Sequence, residues 1–296
     1  MKFTLFYRLF NFENSYENFK LFINIEKFFK SSNFYKKVLI VDPLNDYIKD
    51  YERGFFDEIF ITNFKNDLAG LSEFILTKKF HLDSSNILSF LTSGSVGPFI
   101  KKKNDIHWTS QIISKMEDNL GIIFPIVEIP RYTDYYGSVF LKENKKVPKD
   151  SFSVPFGHSY CFHLTKKGFD CLYEKDFFQL GELDKEKAIL KYERILTSYI
   201  LNEGLKVKGL NEPFNELDLG DSKIWDSRHF CLSYFETTDP ENLGDGSKEN
   251  IFKLNPYQVR FIKNIKLPHI YRPLHLSGIS EELQKEIDYL ISNFNH

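Results

Sequence analysis

The chain has 296 residues, enough for one large domain or two ordinary ones, each with a sizeable core. Hydrophobic residues make up 42% and charged residues 27%, which excludes disorder as the main state. A net charge of −2 excludes strong electrostatic capture of bulk nucleic acid, though not a local basic pocket.

Phe3 to Leu9 is a short apolar run and reads as a strand. Asn14 or Ser15 can cap a helix that reaches about Lys30. Val38 to Val41 is a buried-type strand that stops at Asp42-Pro43. Glu58 to Thr62 is another, ending at Asn63. Leu68 to Phe80 has helical spacing, with Leu68, Leu71, Ile75 and Leu76 apolar. Asn86 to Leu91 is a strand that runs into Thr92-Ser93-Gly94-Ser95-Val96-Gly97-Pro98. Trp108 to Leu120 is expected to be a helix, and Ile122 to Ile129 a strand. Strands separated by helices of this size imply an α/β fold with a mostly parallel sheet. Residues 130–158 are polar and loop-like, suiting either a linker or an active-site loop. Ser159 to Leu164 reads as a strand. Lys185 to Asn202 reads as a long helix closed by Gly204. Asp239 to Asn250 is an exposed loop by composition, and Tyr257 to Lys263 is helical or a turn. Ser280 caps an amphipathic helix to Phe294.

Cys161, Cys171 and Cys231 lack paired spacing, so a reducing, cytoplasmic setting is expected. The longest apolar stretch, Gly121 to Val127, is far shorter than the roughly 20 residues of a membrane-spanning helix. The 31 Phe and 16 Tyr fit either stacking surfaces or the codon bias of an AT-rich genome.

Ligands of open α/β sheets bind beyond the carboxyl ends of the strands. Three such ends are polar here: Asp42-Pro43, Asn63 to Asp67, and Thr92 to Pro98. Asp67 is either a helix cap or a carboxylate that holds ribose hydroxyls or a base edge. In Ser93-Gly94-Ser95-Val96-Gly97-Pro98 the glycines permit close backbone approach, and exposed N–H groups could cradle an oxyanion. The same segment approximates a nucleophile elbow centred on Ser95, but no helix follows directly. Glu193 borders the apolar face of the long helix, as either an ion-paired boundary residue or a general base. Arg260 and Lys263, three apart, would share a helical face and suit a diphosphate, or be a solvated basic face. The eight His residues show no metal-ligand spacing.

Four stretches carry a resemblance. They are Asn63-Phe64-Lys65-Asn66-Asp67-Leu68-Ala69-Gly70, then Phe90 to Phe99 followed by His107-Trp108-Thr109. The third is His158-Ser159-Tyr160-Cys161-Phe162 with Tyr192 to Thr197 and Gly204 downstream. The fourth is Asn255-Pro256-Tyr257-Gln258-Val259-Arg260-Phe261-Ile262-Lys263. In this order they are similar to the polysaccharide-type glycosyltransferases of bacteria, protists and large DNA viruses.

The resemblance implies one merged GT-A-like domain over residues 1–296. Residues 1–130 would form the nucleotide-binding half and 131–296 the acceptor side. It implies a nucleotide-sugar donor, a glycan or other saccharide acceptor, and a place in polysaccharide biosynthesis. No nucleic acid and no transmembrane segment are expected. Asn63, Asp67, Ser93, Gly94, Ser95, Gly97, Arg260 and Lys263 would meet the donor. Glu193 would be the catalytic base. Trp108, Tyr135, Tyr136, His158 and Ser159 would face the acceptor, with Trp225 a further stacking candidate. Enzymes of this fold commonly hold Mn2+ or Mg2+ with an Asp-x-Asp pair. Ser93-Gly94 stands where many relatives have Asp, and Gln258 replaces a family Glu. Two alternatives stay open: an esterase centred on Ser95 with His269 or His275, and a non-catalytic nucleotide- or carbohydrate-binding module.

Overall fold

Strand β1 (Lys2–Leu9) is buried along its whole length after Lys2. It pairs in parallel with β2 (Phe34–Val41) on one side and β4 (Asn86–Thr92) on the other. A parallel strand covered on both faces must be apolar almost throughout, and past Lys2 only Thr4 and Arg8 break its apolar run. The computed structural model describes residues 1–10, 15–30, 33–43, 48–100, 105–129, 155–212, 214–221, 256–263 and 281–294.

With β3 (Glu58–Ile61), β6 (Leu120–Phe124), β9 (Cys161–Leu164) and β10 (Lys206–Gly209), these strands form a seven-stranded sheet. Its order is β10-β6-β9-β4-β1-β2-β3. Only β9 runs antiparallel, against β4 and β6. The mostly parallel α/β sheet read from the sequence is the observed architecture.

Helix α1 (Ser15–Phe29) joins β1 to β2, the short α2 (Asp50–Arg53) precedes β3, and α3 (Asp67–Thr77) joins β3 to β4. Phe6, Val38 and Ile40 share a core with Leu68, Leu71 and Phe74 of α3. Tyr7, Leu9, Leu39 and Val41 share another with Phe19, Phe22 and Ile23 of α1. Helices α1 and α3 therefore cover opposite faces of the sheet. The chain moves from β1 to β2 to β3 on one side, then returns to place β4 on the other. The topological switch point lies between the carboxyl ends of β1 and β4.

Several boundaries differ from those expected. Helix α4 (Trp108–Ser114) ends at Lys115, and Leu120 already belongs to β6. Asn119 adopts a left-handed φ of 63°, which turns the chain into the strand. The single strand expected over 122–129 is two, β6 and β7 (Val127–Glu128), parted at Pro125, which has no N–H to donate. β7 pairs with β8 (Phe156–Gly157). Helix α5 (Lys166–Glu174), capped by the Thr165 hydroxyl, follows β9 without having been anticipated.

The long helix is broken by a π turn. Helix α6 (Lys185–Ala188) leads into π-helical Ile189–Arg194 and then α7 (Ile195–Asn202). The buried residues Ala188, Tyr192, Leu196 and Ile200 are spaced by four. That spacing exceeds the 3.6-residue turn, and a wider i→i+5 turn absorbs the drift. Gly204 is left-handed, as the expected C-cap requires.

Tyr257 to Lys263 is not one helix. It is α8 (Pro256–Val259), a left-handed Arg260 with φ of 66°, and strand β11 (Ile262–Lys263). Helix α9 (Glu281–Phe294) packs on α1, with the Phe294 and Phe28 rings 5.5 Å apart. The Ser280 cap and the 239–250 loop lie outside the described residues, as does most of 130–158. No described helix is long and apolar enough to cross a membrane.

His163 is buried in the sheet, 2.8 Å from the Ser89 hydroxyl and stacked on Trp108. Burial pushes its pKa down to about 3. The unfolded chain takes up this proton near pH 6.5, so between those values the unfolded state binds more protons. Stability must fall as pH drops below 6.5, by up to about 1.4 kcal/mol per pH unit from this residue. Urea unfolding between pH 5 and 6.5 should show a shallower pH slope in His163→Gln than in the native chain. Equal slopes would contradict the assignment.

Candidate functional site

At the carboxyl edge of the sheet, the first residue to explain is Arg8. It sits in the central strand, has no solvent exposure, and carries a charge. An unpaired buried guanidinium would be strongly destabilising, so its donors must find acceptors. Nη2 donates to Asp42 Oδ1 at 2.5 Å and to the Phe64 carbonyl at 2.8 Å. Nη1 donates to the Leu9 carbonyl at 3.1 Å and reaches the Ile40 carbonyl at 3.5 Å. The Phe10 ring lies 4.5 Å from the guanidinium carbon. Nε is buried without a hydrogen-bond partner among the described residues. It packs towards α3 at Gly70, where a Cβ would come within 3.4 Å of it. One side chain thus ties the ends of β1 and β2 to the turn after β3.

That turn carries the first stretch of the resemblance. Asn66, rather than Asp67, is the cap of α3, and its side chain accepts from Leu68 N at 3.0 Å and Ala69 N at 3.4 Å. Asp67 is the first helical residue and is half-buried; Asn63 is exposed. The Asn66 N–H donates to Glu182 at 3.3 Å.

The Ser93–Gly97 segment is buried throughout, and its polar groups serve the protein. Ser93 Oγ accepts from Phe10 N at 3.0 Å, its N–H donates to the Arg8 carbonyl, and its carbonyl accepts from Asn18. Ser95 Oγ donates to the Thr92 carbonyl at 2.7 Å. The open oxyanion cradle expected here is instead a knot between β4, β1 and α1. Ser95 begins β5 (Ser95–Val96), which pairs with β11, so a strand follows it where a nucleophile elbow has a helix. Gly97, with φ of 141°, lies so close to Arg260 that a Cβ would sit 2.3 Å from its carbonyl oxygen. The Gly94 backbone is enclosed with the rest.

Arg260 and Lys263 do not share a helical face. The left-handed turn at Arg260 sends Lys263 into β11, opposite Ser95. The Arg260 guanidinium pairs with Asp105 at 3.0 Å and donates to the Phe99 carbonyl at 2.7 Å and Gln111 Oε1 at 2.8 Å. It is buried and braces this loop, which corrects the expected pairing of Arg260 with Lys263 on one helical face, whether as a diphosphate clamp or as a solvated basic face.

Trp108 is 1% exposed and is a core residue rather than a sugar platform. Its indole N–H donates to the buried Glu26 at 2.7 Å, and its ring meets Phe3, His163 and Phe261. His107 donates from Nε2 to the same carboxylate at 3.0 Å. A buried carboxylate needs hydrogen-bond donors, and the His107 and Trp108 ring N–H groups supply two of them at the start of α4.

His158 is half-buried between the Phe156 and Tyr160 rings, and Ser159 is buried. The Tyr160 carbonyl accepts from Thr92 N at 2.9 Å, and its hydroxyl donates to the Phe261 carbonyl at 3.3 Å. Glu193 is half-buried on the π turn, which packs beside β8. Burial raises the Cys161 thiol pKa, so it is no nucleophile. Tyr135, Tyr136, Trp225, His269 and His275 lie outside the described residues, as does the Lys263 side chain.

Strand-end hydroxyls from Thr92, Ser93 and Ser95, two of them committed to the backbone, do not fit a hard divalent cation, which favours carboxylates. Among the described residues no three His, Cys, Asp or Glu side chains converge as a metal site.

No protein-family model matches this chain, and no curated protein matches it. Solved structures do. The galactosyltransferase LgtC, in complex with donor and acceptor sugar analogs, is 9% identical. That match covers 97% of this chain and 95% of that one, with a TM-score of 0.43. CMP:2-keto-3-deoxy-manno-octonic acid synthetase, complexed with CTP, is 12% identical over 71% of this chain and 89% of that one, with a TM-score of 0.38. The 4-diphosphocytidyl-2C-methyl-D-erythritol synthase from Anaerococcus prevotii is 11% identical over 76% and 92%, with a TM-score of 0.38.

Sequence reasoning passed over Arg8. Its signal was a lone charge inside the apolar run Phe6-Tyr7-Arg8-Leu9-Phe10. Removing it by Arg8→Ala strands acceptors from three strand ends and should cost about 3 kcal/mol of unfolding free energy. Urea denaturation reads this directly, and a loss below about 1 kcal/mol, the scale of an exposed pair, would refute it.

Proposed function

We propose that this protein is a glycosyltransferase that moves a sugar from a nucleotide-sugar donor to a saccharide hydroxyl. One observation carries the reading. Parts of four stretches spread over some 200 residues of sequence meet at the carboxyl edge of one parallel sheet, beside its switch point, while the His107–Thr109 part of the second packs by Phe3 and Phe34 at the amino end. The first reaches β1 through Arg8 and Phe64. The second reaches β1 through Ser93, the third through Tyr160 and Thr92, and the fourth through the β5–β11 pair. Such an edge is where α/β folds bind nucleotides.

In this reading the N-terminal half holds the nucleotide between the β1 end, Asn63 and Asp67. Lys263 on β11 supplies a cation for the departing diphosphate. Glu193 takes the acceptor proton, because a sugar hydroxyl is a poor nucleophile at neutral pH. π turns are frequent at functional sites, and this one packs beside β8 with Glu193 half-buried on it. The scheme uses only side chains of this chain.

Saturating concentrations of the correct nucleoside diphosphate or nucleotide-sugar should raise the melting temperature by roughly 5 °C. A panel of both, with and without Mn2+, checks this; no shift with any nucleotide overturns the reading. A shift without sugar transfer to any acceptor would favour the binding-module alternative.

For Glu193→Gln the expected outcome is turnover reduced by about 10²–10⁴-fold with donor affinity unchanged. Turnover equal to the native chain, or loss of donor binding, would remove Glu193 from the base role.

A further inference from the structure

The sheet ends in β10 at one margin and in β3 at the other, and the two margins carry different chemistry. An edge strand turns a row of backbone N–H and C=O groups outward, which invites another strand unless charge or cover deters it. On β10 the half-buried residues are Lys206 and Lys208, paired with Glu117 at 3.4 and 3.0 Å, while Val207 and Gly209 are buried. On β3 the outward residues are apolar: Ile59 is 37% and Ile61 62% exposed. They stand beside Leu39 and Val41 of β2, which belong to the α1 face, so both isoleucines lie at the outer margin of that face. The opposite face of β3 is already satisfied. There Glu58 is bridged by Lys36 and Lys78 at 2.6 and 2.9 Å, and Phe60 packs edge-on against Phe74 of α3. Among the described residues no strand pairs with the outer side of β3.

Along this margin the exposed residues fall at every second position: Asp57, Ile59, Ile61, Asn63 and Lys65. The row is acidic where it starts, apolar in the middle and basic where it ends. Asp57 is fixed at the strand start by the Lys37 N–H, which donates to its carboxylate at 2.7 Å. Such a row complements itself when reversed. We propose that β3 pairs antiparallel with β3 of a second copy of this chain, giving a two-fold dimer with one continuous sheet. The pairing is independent of the transferase reading. A two-fold axis perpendicular to the sheet keeps each face on its own side, so only residues of like parity stand opposite one another. Centred on Phe60, it sets Ile59 of each copy opposite the partner's Ile61 and gathers the isoleucines of both copies into one apolar strip. Glu58 then meets Thr62. Asp57 meets Asn63, with Lys65 on the diagonal and within reach of its long side chain. No like charges oppose each other in this register. The contact is isologous and consumes the β3 edge of both copies, so assembly stops at two.

Sedimentation equilibrium of the native chain, loaded at about 1 to 100 μM, should show a reversible monomer–dimer equilibrium. Ile61→Lys removes one isoleucine per copy from the strip and should weaken association about 100-fold. Asp57→Lys and Lys65→Asp should each weaken it about fivefold, and the double variant carrying both changes should recover native association. A native chain that stays monomeric over this range overturns the proposal, as does one that forms larger assemblies. A dimer that Ile61→Lys leaves intact overturns it too. If the double variant associates no more tightly than the single ones, the antiparallel pairing is refuted. Ile61 is exposed in the single chain, so the melting temperature of Ile61→Lys should stay near the native value. Should that variant fail to fold, Ile61→Thr keeps a β-branched residue in the strand and must still weaken the dimer. Unchanged association in Ile61→Thr refutes the proposal.

Discussion

A guanidinium buried in the central strand of a parallel sheet is the constraint around which the carboxyl edge is built. Arg8 cannot be left unpaired without a large desolvation cost, and the strand on which it lies cannot move. Its partners must come to it. Asp42 at the end of β2 and the Phe64 carbonyl beyond β3 do so, and the Leu9 carbonyl completes the set. The positions of two strand ends and of the turn into α3 thereby become one linked geometry. Gly70 leaves the space against which the remaining edge of the guanidinium packs. The polar turn after β3 and the Asp-Pro end of β2 are consequences of this charge as much as candidate ligand contacts.

A second knot lies across the switch point. The buried Ser93–Gly97 segment bonds to β1 and α1 through Ser93, and β5 then pairs with β11 from the far end of the chain. Arg260 closes it by reaching Phe99, Asp105 and Gln111 at once. Glycine at 97 is required here by contact with a backbone carbonyl, not by a ligand. Together the two knots bring residues from distant parts of the chain to one edge.

The candidate residues divided along a physical line. Trp108, Ser93, Ser95 and Arg260 had the right chemistry and the right neighbourhood for a ligand, yet their polar atoms are spent on Glu26, Phe10, Thr92 and Asp105. An indole, a hydroxyl or a guanidinium looks the same in sequence whether it meets a sugar or a buried carboxylate. The partner decides, and except for Thr92, three residues from Ser95, these partners lie far away in the chain. Asn63, Asp67, His158 and Glu193 keep partial or full exposure. Asp42 was legible only as a polar strand end, because its importance comes from Arg8, which lies 34 residues away.

By itself the sequence determined the alternation of strands and helices and the parallel character of the sheet. Those rest on local periodicity and on unbroken apolar runs such as Val38 to Val41, which one segment can express alone. Gly204 likewise marked its left-handed helix end without help from its surroundings. Only the tertiary structure decided that β9 runs antiparallel, that β5 and β11 pair, and that the long helix contains a π turn. Two-residue strands carry no periodicity, and the direction of a strand is a relation to its neighbours. The same holds for the charge at position 8. Whether an arginine in an apolar run interrupts a strand or anchors a site depends on what the fold brings within hydrogen-bond reach, and here it brings the ends of β1 and β2 and the turn after β3.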